Sequence, residues 1–121
     1  MTSPRIARLR ELFKEETSLI LRREMKDPRI GFVSVTDVEL SPDLGHARIF
    51  VSIYGDAEAK ATTMAALTSA AGFVRTELAR RIRLRHIPAV SFRLDESIEY
   101  GDRVNRLLRQ VAGERQDREP E

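Results

Sequence analysis

Apolar residues recur at helical spacing over the first two dozen positions of the chain. Ile6, Leu9, Phe13 and Ile20, with Leu12 and Leu19 beside them, share one face, which predicts a helix from about Pro4 to Lys26. Ser3 is suited to cap it and Pro4 to be its first residue. Asp27-Pro28 ends it, because the residue before a proline is pushed out of the helical region, and Gly31 completes the turn. From Phe32 to Leu40 the period becomes two. Val33 and Val35 alternate with Ser34 and Thr36; then the phase slips, and Val38 and Leu40 become the apolar positions. A slip of one residue predicts a bulge near Thr36-Asp37. Ser41-Pro42-Asp43-Leu44-Gly45 is turn chemistry. His46–Tyr54 then alternates cleanly, with Ala47, Ile49, Val51 and Ile53 on one face and Arg48, Phe50, Ser52 and Tyr54 on the other. The two runs predict an antiparallel hairpin with one face toward the core.

Gly55-Asp56 breaks the strand, and Asp56 can cap a helix over roughly Ala57–Ser69 with Met64 and Leu67 inward. The small residues Ala70, Ala71 and Gly72 predict a break or kink. Beyond it a helix with Phe73, Val74, Leu78 and Ile82 inward is expected to run to about Leu84, before Pro88. Val90–Glu96 alternates again and predicts a third strand. Ser97–Gly101 reads as a turn, ordered by Asp95, Glu96 and Glu99, and Asp102 as the cap of a short last helix carrying Val104, Leu107, Leu108 and Val111. The expected order is α-β-β-α-(kink)-α-β-α. That is an α/β (α+β) two-layer fold, with helices on one face of a three-stranded sheet.

A chain of 121 residues bounds this to one domain, residues 1–112, followed by a charged tail, 113–121, that has no apolar anchor and is expected to be disordered. Apolar content of 41% with 33% charge describes an ordinary globular protein. No apolar run approaches the length of a membrane span, and the first residues lack the apolar segment of a signal peptide. There is no cysteine, which excludes disulfides, thiolate metal sites and a thiol nucleophile, and fits a cytoplasmic protein.

The net charge of +2 conceals an uneven distribution. Residues 73–93 hold six arginines against the single acid Glu77, so the rest of the chain is acidic on balance. Arg75, Arg80, Arg81, Arg83 and Arg85 follow directly on Ala70-Ala71-Gly72. At 100° per residue, Arg75, Thr76, Arg80 and Arg83 fall within about 140° of one helix face. A merely solvated face would mix signs at i,i+4, and acidic partners are scarce here, so this face is the candidate surface for a phosphate backbone. Arginine suits that task because its planar fork binds phosphate oxygens in pairs. Glycine inside a helix costs on the order of 1 kcal/mol relative to alanine, so Gly72 needs a reason, either close packing or presentation of the backbone. Arg22, Arg23, Lys26 and Arg29 form a second basic cluster, diluted by Glu24 and Asp27. Arg48, Phe50 and Tyr54 have the character of a base-stacking face, but ordinary strand composition accounts for them; Arg103, Arg106 and Arg109 read as a solvated face. No catalytic constellation emerges. His46 and His86 stand apart, and no phosphate-loop, nucleophile-elbow or dinucleotide motif exists. Catalytic residues, a metal and a cofactor are therefore not expected.

The order α-β-β-α-α-β resembles the bacterial-type (type II) KH fold, an RNA-binding module whose two central helices are joined by a GxxG loop that clamps the nucleic-acid backbone. This chain has no GxxG; Ala70-Ala71-Gly72 stands at that joint and is similar to the Ala-x-Gly kink of the ribosome-binding factor A family. Asp27–Leu44, Arg83-Leu84-Arg85-His86-Ile87-Pro88 and Leu94–Gly101 resemble the same family, and the match extends over about residues 3–112. The resemblance implies a monomeric cytoplasmic factor that binds 16S rRNA in the free 30S small ribosomal subunit. It implies help in maturing the 5′ end of that RNA, above all at low temperature, with no catalysis, cofactor, small-molecule substrate or membrane. A general single-strand RNA-binding module, or a protein–protein adaptor using the sheet face, are the alternatives.

Overall fold

The computed structural model describes residues 3–97 and 105–112. Helix α1 spans Pro4–Arg23, strand β1 Val33–Leu40, strand β2 His46–Ile53, helix α2 Ala57–Arg81 and strand β3 Ala89–Leu94. Residues 105–112 are also helical. The expected tail and the turn residues Ile98–Gly101, Glu99 among them, lie outside the described residues, as do Asp102, Arg103 and Val104.

Both helix starts follow from their caps. The Ser3 hydroxyl accepts the Ile6 N–H at 3.2 Å, with Pro4 in the first turn. The Asp56 carboxylate accepts the Ala59 N–H at 2.8 Å. Gly55, at φ +137°, is the hinge into α2; a Cβ there would stand 2.8 Å from that of Ala59, so no other residue fits without a shift. Helix α1 ends at Arg23, ahead of the expected Lys26, and the chain turns through Asp27, whose carbonyl accepts the Ile30 N–H.

The three strands form one mixed sheet in the order β1-β2-β3, antiparallel between β1 and β2 and parallel between β2 and β3. The register shifts between Val35 and Asp37, so the bulge stands where the phase slip put it. Thr36, at the bulge, is secured from just past the end of the other edge strand: its hydroxyl donates to Asp95 Oδ2 at 2.6 Å. Hydrogen bonds from Ser97 and Thr36 hold the Asp95 carboxyl below the usual carboxylate range. The turn between β1 and β2 is closed by Asp43 Oδ1, which accepts from the Ser41 hydroxyl and the Gly45 N–H, and its left-handed residue is Leu44.

Alternation decides which face of the sheet is buried. Ala47, Ile49 and Val51 are fully buried and Ile53 nearly so. They meet Phe13, Thr17, Ile20 and Leu21 of α1, and Thr63, Ala66, Leu67, Val74 and Leu78 of α2, with both helices on that one face. Two expectations fail in α2. The first concerns its continuity: Ala57–Arg81 is one helix of 25 residues, and its hydrogen-bonded run passes through Ala70, Ala71 and Gly72 without dividing. Alanine is the best helix former, and one glycine is a small penalty within so long a cooperative run. The second concerns its inward face and end. Phe73 is 43% exposed. It lies 100° from Val74, and it is Val74 that continues the buried stripe through Leu67 and Leu78. The helix stops at Arg81, not Leu84: Ile82 is extended (φ −115°, ψ 125°) and turns its side chain into the core.

One core atom lacks a partner among the described residues, the buried Thr17 hydroxyl. An unsatisfied buried hydroxyl carries its full desolvation cost. Thr17→Val keeps the shape and removes that cost, so urea denaturation of the variant should show a gain of about 1 kcal/mol. A loss would show that the hydroxyl has a partner after all.

Candidate nucleic-acid interface

The five arginines expected to contact RNA divide into four kinds. Arg75 is a brace. Its Nε donates to the Pro88 carbonyl at 3.2 Å and its Nη2 to the Ile87 carbonyl at 3.1 Å, which fastens the loop before β3 to the side of α2. Arg81 is a hub. It meets Glu77 at 2.7 Å, Glu16 at 3.5 Å and Glu24 at 3.6 Å, and its side chain is only 26% exposed. The premise that this stretch lacks acidic partners is therefore corrected. Glu77 serves both Arg80 and Arg81, and the other two carboxylates arrive from α1, far away in sequence. Arg80 is intermediate, 71% exposed and 3.5 Å from Glu77. Arg83 and Arg85 lie beyond the end of the helix, in the loop to β3, exposed and without a hydrogen bond or ion pair to any described residue.

Ala70, Ala71 and Gly72 do not join two helices; they lie inside α2, where Ala70 and Ala71 are half-buried and Gly72 is exposed. A Cβ at Gly72 would meet nothing within 4 Å, which removes close packing as its reason. Its carbonyl accepts the Thr76 hydroxyl at 3.0 Å. From Ala61 to Val74 the helix carries no charged residue, and Thr68, Gly72 and Thr76, at intervals of one turn, are all exposed. The result is a bare, uncharged backbone face leading to Arg80. That run of uncharged residues was a signal available in the sequence. Since nothing crowds position 72, Gly72→Ala should raise stability by about 0.5–1 kcal/mol in thermal denaturation. A fall would mean that residue 72 departs from ordinary helical geometry.

The second cluster is thinned in the same way. Arg29 is locked onto Asp27 by paired guanidinium–carboxylate bonds, the shortest 2.8 Å, and these bonds hold the Asp27 carboxyl below its usual range. Asp27 stays ionised and neutralises Arg29. Arg22 makes one long contact, 3.4 Å to the Ser18 carbonyl of its own helix. Arg23 and Lys26 are exposed and unpaired among the described residues. The ion pair between Glu24 and Arg81 joins the C-terminal ends of α1 and α2. Arg23 and Lys26 therefore belong to the same end of the molecule as Arg80, Arg83 and Arg85, which sequence distance concealed.

On the open sheet face Arg48 pairs with Glu39 at 3.4 Å, and Phe50 is half-buried. His46 shares a 2.8 Å hydrogen bond with the Ser91 hydroxyl. Among the described residues no three His, Cys, Asp or Glu side chains gather as a metal site, and no helix is long and apolar enough to cross a membrane.

An α-β-β-α-β chain with both helices on one face of a mixed three-stranded sheet is a two-layer α+β domain. Comparison narrows that class. The family profile of ribosome-binding factor A matches residues 5–108. The ribosome-binding factor A of Brevibacillus brevis is 51% identical over 119 residues, covering 97% of this chain and 98% of its own. Among solved structures, the crystal structure of ribosome-binding factor A from Thermus thermophilus superposes with a TM-score of 0.64 at 27% identity, covering 73% of this chain and 93% of that one. A homology model of Thermus thermophilus ribosome-binding factor A, fitted into the cryo-EM map of a complex of that factor with the 30S subunit, superposes with a TM-score of 0.60 at 25% identity, over 72% and 91% of the two chains. The chain belongs to the ribosome-binding factor A family.

Proposed function

We propose that this protein binds the free 30S subunit through 16S rRNA, with Arg80, Arg83 and Arg85 as the principal phosphate contacts and Arg22, Arg23 and Lys26 as a second set. It acts without catalysis, as a cytoplasmic monomer, by favouring one local arrangement of the RNA. That shift assists late maturation and processing of the 5′ end. Cold makes such help more necessary, because wrongly paired RNA then escapes its traps more slowly. The observation that carries the reading is the set of unpaired cations at one end of the fold, in a chain of a family one member of which has been fitted into a 30S complex. Arg75 and Arg81 support the site from within: one fixes the loop that displays Arg83 and Arg85, and the other fixes α1 against α2. A binder that selects one RNA state shifts populations by its differential affinity and needs no chemistry.

The test is sedimentation of the tagged full chain in a cell lysate. Co-migration with free small subunits, and not with translating ribosomes, is the expected result. Migration as a free small protein at low salt would overturn the proposal.

A further inference from the structure

The most exposed aromatic pair among the described residues lies at the open end of the β1–β2 hairpin. Tyr54 donates its N–H to the Phe32 carbonyl at 3.1 Å, one step beyond the Val33–Ile53 pair, so the two residues stand opposite each other across the hairpin. Phe32 is 75% exposed and Tyr54 83%. Side chains facing each other across antiparallel strands have Cβ atoms about 5 Å apart, so the two rings stand as neighbours on one exposed surface. The next outward pair is Ser34 opposite Ser52. These four residues, with Ile53, Gly55 and Asp56, line a shallow cavity of about 640 Å³. A neighbouring groove of about 550 Å³ shares Phe32 and Ser34 and is lined on its far side by Arg22, whose contact to its own helix is long. Of the acids nearby, Asp56 caps α2 and Asp27 holds Arg29, while Glu58 stands exposed in the groove on the far side of Tyr54.

An exposed pair of rings, two hydroxyls beside it and a guanidinium across an adjoining groove match the three parts of a nucleotide. Rings stack on a base, hydroxyls meet its edge, and the cation meets the phosphate. We propose that Phe32 and Tyr54 form a stacking site for one unpaired RNA base, with Ser34 and Ser52 at its edge and Arg22 on its phosphate. The proposal rests on the RNA-binding reading above and adds an aromatic site that shares with it Arg22 alone. It would give the protein a contact to a looped-out nucleotide in addition to its phosphate contacts, and hence a means of reading whether a given base is free.

The test uses a single-stranded uridine decamer with one central 2-aminopurine, whose emission falls when the base stacks. The full chain should quench it, and Phe32→Ala/Tyr54→Ala should need about tenfold more protein for the same quench. Tyr54→Phe should quench as the parent does. Arg83→Glu/Arg85→Glu should keep the quench while losing association with small subunits. A parent that fails to quench, or a double alanine variant that quenches equally with an intact circular-dichroism spectrum, overturns the stacking site. A protein partner on this face gives the first of those outcomes. Loss of subunit association by the parent would instead overturn the ribosome reading, so the two failures are distinguishable.

Discussion

Reversing Arg83 and Arg85 to glutamate should weaken association with the small subunit about 100-fold and leave the urea midpoint of the protein unchanged. Neither side chain has a partner among the described residues, so the fold loses no contact when they change. Binding loses two charge-assisted contacts and gains two repulsions. The logarithmic dependence of binding on salt should flatten by about two units, one for each phosphate contact removed. Arg81→Glu makes the opposite prediction. It would place a fourth carboxylate among Glu16, Glu24 and Glu77 where α1 meets α2. Because the site is partly exposed, the expected cost is about 2 kcal/mol of stability, between the values for exposed and for buried ion pairs. Any loss of subunit binding by that variant should track its unfolded fraction. Sedimentation and urea denaturation of both variants decide the matter. Normal binding by the Arg83→Glu/Arg85→Glu protein would place the interface elsewhere.

That contrast marks where sequence reading succeeds in this protein and where it stops. Features fixed by near neighbours were legible. The Ser3 and Asp56 caps, the bulge beside Thr36, the Asp43 turn and the inward row Ala47, Ile49, Val51 and Ile53 each depend on a few adjacent residues. The partners of the arginines depend on tertiary contacts. Nothing local to Arg81 says that Glu16 and Glu24 will reach it, nor that Arg75 will be spent on the carbonyls of Ile87 and Pro88. The charge run thus overstated the free cations, while the locally plausible break at Ala70-Ala71-Gly72 yielded to the cooperativity of a long helix. Phe32 escaped notice for a related reason. In sequence it reads as an ordinary strand residue, and only the register of the hairpin sets it opposite Tyr54.

Phe13→Ala should remove about 3–5 kcal/mol of stability, the range for a fully buried phenylalanine. Phe13 has no exposed surface and sits in the cluster that joins α1 to β2 and α2. Domains of this kind are held by about 5–15 kcal/mol, so one truncation consumes a large part of the margin. Phe73→Ala, at the same residue type but 43% exposed, should cost under about 1 kcal/mol, since little of its area leaves water on folding. Function follows from the geometry of α1. That helix holds Glu16, and Glu24 caps its C-terminal end; both anchor Arg81, and Arg22, Arg23 and Lys26 follow at the same end. Loosening its attachment should therefore weaken subunit binding although Phe13 touches no RNA. The two causes separate by temperature. Binding by the Phe13→Ala protein should recover on moderate cooling as the folded fraction rises, whereas binding by the Arg83→Glu/Arg85→Glu protein should stay weak at every temperature at which it is folded. A Phe13→Ala protein that melts within a few degrees of the parent would mean that the α1–sheet contact is not what holds the domain together.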